Sequence, residues 1–265
     1  MTDSNLALLI DGDNVTPKVI AGLLVEIANY GTASVRRIYG DWTNPIMNGW
    51  KPCLLNHSIT PIQQFAYTTG KNATDGAMII DAMDLLYTGR FSSFCIVSSD
   101  SDFTRLASRI REQGVTVYGF GERKTNNAFV AACDKFIYFD VLSTGSEESG
   151  VLPHAAESSK PGIAPMVVRN QPVEKKPIDD RAREGICVAI RRSFSYGDDW
   201  VNLAEVGNYL HKIGPNLNAR NYGYERLREF IEATGMVDIK YKTIDNKPPI
   251  VLVRLKEERE DVMRY

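Results

Sequence analysis

The chain has 265 residues, enough for one large domain or for a medium domain plus a small one. Its hydrophobic content of 43% and charged content of 24% are typical of soluble globular proteins, and no apolar run approaches the ~20 residues of a membrane span. A net charge of −2 excludes a general electrostatic attraction to nucleic acid, so any such binding must come from local patches or bound metal ions.

The four cysteines are widely spaced, no CxxC pair occurs, and the chain has only three histidines. This usage argues against a zinc site and a disulfide framework, and it fits a reducing compartment. The first residues have neither the basic nor the apolar region of a signal peptide. These features predict a cytoplasmic protein with no membrane association.

Apolar runs alternate with helical patterns through residues 1–142. Predicted strands lie at 6–10, 34–39, 61–67, 94–97 and 115–120, and predicted helices at 16–30, 73–88 and 102–113. Strands that alternate with helices indicate βαβ units. The predicted fold is therefore α/β, with a parallel sheet of strand order 3-2-1-4-5.

Residues 143–177 differ from both flanks because they contain five of the twelve prolines and no aromatic residue. Such a composition is typical of a flexible linker. Beyond it, residues 178–255 predict three helices, at 180–194, 203–211 and 220–234, and two β-like runs, at 236–241 and 250–253. Three helices and a hairpin favour a small winged-helix α+β domain. Residues 256–265 form a charged tail.

Two acidic motifs come directly after predicted strands. Asp11, Asp13 and Asn14 follow the first strand, and Asp100 and Asp102 follow the fourth. In a sheet of order 3-2-1-4-5 these two strands are neighbours at the point where the order reverses, which is where ligands bind in such sheets. Asp11 and Asp100 are therefore expected to face each other.

A third acidic position comes from the helix predicted at 73–88. Asp75 shares the azimuth of the apolar stripe and lies in the first turn, where the helix opens toward the same crevice. Asp81 lies round on the polar side. Helical geometry therefore makes Asp75 the better site candidate.

Carboxylates held this close repel one another, and a divalent cation relieves that repulsion. Oxygen ligands suit Mg²⁺ or Mn²⁺. Such ions activate bound water and stabilise the transition state of phosphodiester hydrolysis. This reaction class makes the best use of Asp11, Asp75, Asp100 and Asp102, four aspartates for which the sequence indicates no His, Cys or Ser partner in catalysis.

Simpler roles stay open for several of these residues. Asp13 and Asn14 are also typical of a helix cap or a strand-to-helix turn, and Asp102 of an N-cap for the helix that begins near Phe103. Asp41 is interpreted as a turn residue.

Two basic segments lie close to the predicted crevice. Lys71 and Asn72 precede Asp75, and Arg123 and Lys124 follow the fifth strand. They are candidates for phosphate contacts, with a solvated loop as the alternative.

The acidic motifs resemble those of a known family. Residues 7–14 (ALLIDGDN), residues 70–75 (GKNATD) with the continuation to Asp81, and residues 98–103 (SSDSDF) are together similar to the NYN domain. NYN domains are a branch of the PIN-like nuclease superfamily that includes the bacterial LabA-like proteins. The resemblance implies a Rossmann-like PIN fold and an Mg²⁺- or Mn²⁺-dependent ribonuclease. It assigns metal binding to Asp11, Asp75, Asp100 and Asp102, adds Asp81, and makes Asn14 a supporting polar group.

The second domain also has a likeness. Residues 199–203 (DWVNL) and 219–224 (ARNYGY) are similar to the OST-HTH or LOTUS domain. This winged helix is associated with RNA binding and, in some members, with protein partners. Arg220, Tyr222, Lys240 and Lys242 are the candidate RNA contacts, although packing or a solvated face explains them as well.

Three functions are compatible with these residues. The first is an endoribonuclease directed to RNA by the tethered winged helix. The second is a non-catalytic RNA-binding or adaptor protein that uses the PIN-like fold as a scaffold. The third is a phosphatase or nucleotidase. Such enzymes need a downstream Ser/Thr and Lys arrangement that is not recognisable in this sequence. The oligomeric state is left open, a homo-oligomer included.

Overall fold

The structure is a computed structural model that describes residues 4–65, 73–142, 175–193, 199–244 and 247–256. These residues form an N-terminal domain (residues 4–142) and a C-terminal domain (residues 175–256). In the described part of the chain, no helix is both long enough and apolar enough to cross a bilayer.

A parallel sheet forms the centre of the N-terminal domain. Its strands are β1 (Asn5–Asp11), β2 (Thr32–Gly40), β3 (Thr60–Gln63), β4 (Ser93–Val97), β5 (Thr116–Gly121) and β6 (Lys135–Tyr138). Their order is β3-β2-β1-β4-β5-β6, and all neighbours run parallel. The predicted order 3-2-1-4-5 is confirmed. The sequence analysis missed β6, a strand of four residues at the sheet edge.

Helices cover both faces of this sheet. They are α1 (Ile20–Ala28), α2 (Lys51–Asn56), α3 (Ala73–Tyr87), α4 (Thr104–Glu112) and α5 (Asn127–Ala132). Side chains of β1 alternate between two buried clusters, with Leu9 in one and Leu8 in the other. A strand buried on both faces reads as a continuous apolar run, which is why β1 was recognisable from sequence.

Several boundaries differ from the predicted ones. The helix predicted from residue 16 begins as a 3-10 turn at Pro17–Val19, and the one predicted from residue 102 begins as a 3-10 turn at Ser101–Phe103. The strand predicted at 61–67 is assigned only to Thr60–Gln63, and residues 66 and 67 lie outside the described part. A 3-10 turn at Pro45–Trp50 and the short α2 that follows it were not predicted.

The C-terminal domain packs three helices against a small antiparallel sheet. Its elements are α6 (Asp180–Arg192), β7 (Val201–Asn202), α7 (Leu203–Ile213), a 3-10 turn (Ala219–Tyr222), α8 (Leu227–Ala233), β8 (Val237–Ile244) and β9 (Lys247–Leu255). The strand order is β7-β9-β8. The helix predicted at 220–234 is divided by Gly223, whose φ of 79° is left-handed and ends the 3-10 turn.

The two domains are in direct contact. Residues 143–174, most of the predicted linker, lie outside the described part of the chain. The predicted linker extended to residue 177, but Lys176 already donates its backbone N–H to the Tyr222 carbonyl at 3.1 Å, and its ammonium pairs with Asp140. The C-terminal domain also bonds to the edge strand β6.

Candidate functional site

The carboxyl ends of β1 and β4 meet where the strand order reverses. Ile10 lies opposite Val97 in the register of these strands, so the chain leaves both strands at the same level. Asp11 ends β1, while Ser98 and Asp100 follow β4. The crevice expected from topology is therefore present, and the two acidic motifs line it.

Asp11 is held in a fixed orientation by neutral donors. Its side chain is 1% exposed, and Oδ2 accepts hydrogen bonds from Ser98 Oγ at 2.7 Å and Asn14 Nδ2 at 2.9 Å. The second oxygen, Oδ1, is buried and has no hydrogen-bond partner among the residues that the structure describes. Burial raises the pKa of Asp11, and the charge of Asp13 adds to this effect. An unpartnered carboxylate oxygen costs free energy unless a cation compensates it.

Helix α3 brings Asp75 to the same place. Met78 and Ala82 are fully buried in the core, which orients the helix, and its first turn then places Asp75 at the crevice with 8% exposure. Burial is the main reason that the pKa of Asp75 rises to about 6, and the charges of Asp11 and then Asp100 and Asp102 add to it. Asp75 is thus surrounded by other carboxylates.

Asp100 and Asp102 complete the group through a tight turn. The Asp100 carboxylate accepts the Asp102 N–H at 2.9 Å and caps the 3-10 turn, while the Asp100 N–H donates to Ser98 Oγ at 3.0 Å. The capping role considered for Asp102 therefore belongs to Asp100. One carboxylate oxygen each from Asp75, Asp100 and Asp102 lies within 4.8 Å of the others.

We call Asp11, Asp75, Asp100 and Asp102 the acidic cluster. Its donors are all carboxylate oxygens, the set preferred by hard divalent cations such as Mg²⁺ and Mn²⁺. The unpartnered Oδ1 of Asp11 and the raised pKa of Asp75 are what such a set shows when no cation balances it. The residues present therefore fit a divalent metal.

The turn after β1 ties the cluster to α3. The Asp13 carboxylate accepts a hydrogen bond from Thr74 Oγ1 at 2.8 Å, so it joins the two segments and does not cap α1. Gly12 donates its N–H to the Tyr39 carbonyl at 2.8 Å. A Cβ on Gly12 would lie 2.8 Å from that same oxygen, so only glycine permits this approach.

Asp81 lies outside the three-carboxylate group. Its two oxygens accept hydrogen bonds from Arg37 and from the hydroxyl of Tyr39, both on β2. These partners account for a half-buried carboxylate without a metal. Asp41 fills the turn role expected of it, since Oδ1 accepts hydrogen bonds from Thr43 and Gln63.

A cleft of about 290 Å³ opens beside the acidic cluster. It is lined by Asn14, Ser99, Asp100, Ser101, Glu122, Lys124 and Asn126. Lys124 is an exposed ammonium paired with Glu122 at 2.8 Å, and Asn126 caps α5. A larger cavity of about 470 Å³ lies at the start of β5 and contains none of the predicted site residues.

The predicted nucleic-acid contacts have different surroundings. Lys71 and Asn72 lie outside the described residues. Lys124 reaches the cleft, whereas the neighbouring Arg123 pairs with Asp140 at 3.0 Å and donates to the Asn221 carbonyl at 2.7 Å. Arg123 is thus directed toward the C-terminal domain.

In the C-terminal domain, too, some of the predicted RNA contacts are used in packing and others are exposed. Arg220 pairs with Glu26 of the N-terminal domain at 3.3 Å, and Tyr222 stacks on Phe230. Lys240 and Lys242 are exposed on one face of β8, and the Lys240 ammonium lies 4.1 Å from the ring centroid of the half-buried Trp200.

Sequence reasoning missed Ser98 and Ser99 as site residues. Ser98 joins Asp11 to the Asp100 turn, and Ser99 Oγ accepts the Glu122 N–H at 2.8 Å. Their place inside the motif of residues 98–103 was the available signal, but hydroxyls in a turn have no characteristic spacing.

Comparisons with known proteins agree with these observations. Residues 5–143 match the NYN domain family and residues 183–248 match the OST-HTH/LOTUS domain family. No curated protein matches the chain.

Two solved structures are similar to parts of it. A protein of unknown function from Vibrio parahaemolyticus is 18% identical, with a TM-score of 0.43, over 51% of this chain and 93% of its own. An uncharacterised protein from Nitrosomonas europaea is 27% identical, with a TM-score of 0.29, over 40% of this chain and 94% of its own.

NYN domains are PIN-like nucleases, and OST-HTH/LOTUS domains are associated with RNA binding. The NYN match covers more than half of the chain and includes every member of the acidic cluster. The chain therefore belongs to the NYN domain family and carries an OST-HTH/LOTUS domain after its NYN domain.

Proposed function

We propose that the protein is a metal-dependent ribonuclease that hydrolyses RNA phosphodiesters at the acidic cluster. The observation that carries the proposal is the buried carboxylate of Asp11, whose Oδ1 has no hydrogen-bond partner among the described residues. Its charge acts on Asp75, which lies with Asp100 and Asp102 in a three-carboxylate group. A protein that used this fold only as a scaffold would gain nothing from such an unfavourable arrangement.

Asp11, Asp75, Asp100 and Asp102 are the residues that would hold Mg²⁺ or Mn²⁺. Such a metal, when bound, activates a water and neutralises charge on the phosphodiester in the transition state. Ser98 and Asn14 both donate hydrogen bonds to Asp11 Oδ2, so Oδ1 would be the oxygen available to a metal. The Asp100 cap and the Asp13–Thr74 bond fix the segments that carry the other carboxylates.

The cleft beside Asp100 is the place for the RNA strand. Lys124 and Asn126 supply an ammonium and an amide that suit phosphate and sugar oxygens, while Glu122 holds Lys124 when no RNA is present. The cleft is polar and open, as a site for a flexible single strand requires.

The C-terminal domain supports RNA as the substrate. Lys240 and Lys242 lie two positions apart on the same face of β8. Arg254 lies on that face of β9, opposite Asp238. Lys240 and Arg254 lie over the Trp200 ring, Arg254 also pairs with Asp238, and Lys242 extends the basic face along β8. Phosphate contacts from such a face raise affinity without selecting sequence.

Mn²⁺ titration by calorimetry and cleavage of end-labelled single-stranded and hairpin RNA test this proposal. Asp11→Asn and Asp100→Asn are expected to lose both Mn²⁺ binding and cleavage. Asp84→Asn, an exposed carboxylate on α3, is the matched control and is expected to keep both.

Two results separate the alternatives. Mn²⁺ binding that Asp11→Asn leaves intact would refute the assignment of the metal site. Wild-type protein that binds Mn²⁺ and RNA but cleaves neither substrate would support the RNA-binding adaptor instead.

A further inference from the structure

The outer edge of β6 is occupied by the C-terminal domain. An edge strand presents unpaired backbone N–H and C=O groups, and proteins usually cover or interrupt them. The Phe136 N–H donates to the Pro215 carbonyl at 3.0 Å. The Phe136 carbonyl and the Tyr138 N–H bond to asparagine side chains of the 3-10 turn region that follows α7.

Asn221 takes the place of a neighbouring strand residue. Its Oδ1 accepts the Tyr138 N–H at 3.0 Å, and its Nδ2 donates to the Phe136 carbonyl at 2.8 Å. A residue of a parallel neighbour would bond to the same two groups, which flank Ile137. Asn218 Nδ2 adds a bond of 3.0 Å to the Phe136 carbonyl, and both asparagines are at most 2% exposed. We call Asn218 and Asn221 the asparagine clamp.

Further polar contacts between the two domains lie around the clamp. Arg220 pairs across the interface with Glu26, which is 7% exposed, and Asn216 Nδ2 donates to the Tyr138 hydroxyl at 3.2 Å. The Arg220 side chain is partly exposed, so its ion pair contributes little, but loss of the buried amide contacts is costly because it leaves buried polar groups without a partner. This chemistry indicates a stable interface more than a transient encounter between tethered domains.

One residue connects the clamp to the cleft. Arg123 donates to the Asn221 carbonyl at 2.7 Å, pairs with Asp140, and lies 4.1 Å from the ring centroid of Tyr138. Its chain neighbours Glu122 and Lys124 both line the cleft beside Asp100. The 122–124 segment is therefore held from both domains, through Asp140 and Ser99 of the N-terminal domain and through the Asn221 carbonyl of the C-terminal domain.

We infer that the C-terminal domain docks in cis on β6 as a fixed part of the RNA-cleaving unit, and that Arg123 is a positioning residue that transmits this docking to the cleft. The role in cleavage rests on the proposed ribonuclease function, whereas the docking itself does not. A docked C-terminal domain holds bound RNA in a fixed direction relative to the acidic cluster, which a freely moving tethered domain does not do.

Asn221→Asp tests the docking in the full chain. An aspartate keeps the shape of the side chain but places a carboxylate against the Phe136 carbonyl, where a donor is required. Hydrogen exchange of the Phe136 and Tyr138 amides is expected to become about tenfold to a hundredfold faster, the range for a lost buried partner. Asn202→Asp is the matched control because Asn202 caps α7 as an acceptor, a role that aspartate fills equally well.

Arg123→Gln tests the link to the cleft and lies outside the C-terminal domain, so it is informative even if Asn221→Asp unfolds that domain. It is expected to accelerate exchange of the same two amides and to raise KM for RNA several-fold with kcat and Mn²⁺ affinity unchanged. Arg90→Gln, an exposed arginine before β4, is its control.

Unchanged exchange at Phe136 and Tyr138 in both variants would overturn the docking. Faster exchange with unchanged KM would overturn the positioning role alone. If the wild-type protein proves inactive on RNA, the exchange data still decide the docking, so failure of the proposed function remains distinguishable.

Discussion

Asp75 is expected to destabilise the metal-free protein, so that Asp75→Asn is more stable than the wild type. In the folded chain the pKa of Asp75 is raised from 3.8 to about 6, first by burial and then by the charge of Asp11. A raised folded-state pKa contributes stability below pH 3.8, and this contribution is lost as the pH rises through 6. At neutral pH Asp75 is ionised, and its charge lowers the free energy of unfolding by the full amount.

The size of the effect follows from the shift. About two pKa units at ~1.36 kcal/mol each give a cost of about 3 kcal/mol at pH 7.5, falling to about 1 kcal/mol at pH 4.5. Asparagine has no charge to ionise, so Asp75→Asn should raise the free energy of unfolding by those amounts. Asp84→Asn on the same helix is exposed and should change it little at either pH.

Urea denaturation in EDTA at the two pH values measures this difference. Mn²⁺ at ~1,000 times Kd should then reverse the ranking, since it adds ~4.1 kcal/mol to the wild type, more than the cost of about 3 kcal/mol at pH 7.5, and nothing to a variant that lacks the ligand. A variant that is less stable than the wild type in EDTA at pH 7.5, or a difference that does not vary with pH, would refute the reasoning.

Three further predictions concern the surroundings of the site. Ser98→Ala removes the donor to Asp11 Oδ2 and the acceptor of the Asp100 N–H. Calorimetry should therefore show Mn²⁺ affinity reduced about tenfold, and urea denaturation should show a free energy of unfolding lower by about 1–3 kcal/mol. Unchanged Mn²⁺ affinity would contradict the role of Ser98 in orienting Asp11. Tyr39→Phe removes a hydrogen bond to Asp81 and should lower the free energy of unfolding by about 1–2 kcal/mol at constant Mn²⁺ affinity, whereas a fall in affinity would return Asp81 to the metal site. Burial and the charge of Lys135 lower the pKa of His211 from 6.5 to about 4, so the unfolded chain takes up a proton at a higher pH than the folded chain. The free energy of unfolding should therefore fall by up to about 3 kcal/mol between pH 6.5 and pH 4. His211→Gln should flatten this pH dependence in denaturation experiments, and an unaltered slope would exclude His211 as its source.

Local patterns were enough to predict most of the N-terminal domain. The strands β1 and β4 are buried on both faces and appear as continuous apolar runs, and α3 shows the apolar stripe that placed Asp75 at the crevice. The short strand β6 escaped prediction because a run of four residues is too short to show a distinctive period.

The acidic cluster was predicted from sequence for a topological reason. Asp11, Asp100 and Asp102 follow strands whose carboxyl ends must meet once the sheet order is known, and Asp75 was placed by the apolar stripe of its helix. The orientation of Asp11 by Ser98 was not predictable in the same way, because 87 residues separate the two side chains and neither position carries a periodic signal.

The sequence by itself therefore determined the domains' fold classes and the residues of the acidic cluster, since both follow from periodicity, motif order and the family resemblance. Only the tertiary structure decided that Asp81 pairs with Arg37 and Tyr39, and that the C-terminal domain sits on β6. The Asp81 contacts join side chains that are far apart in the chain. The contacts on β6 join side chains to backbone groups, which do not depend on residue type, so no pattern of residue types along the chain predicts either set.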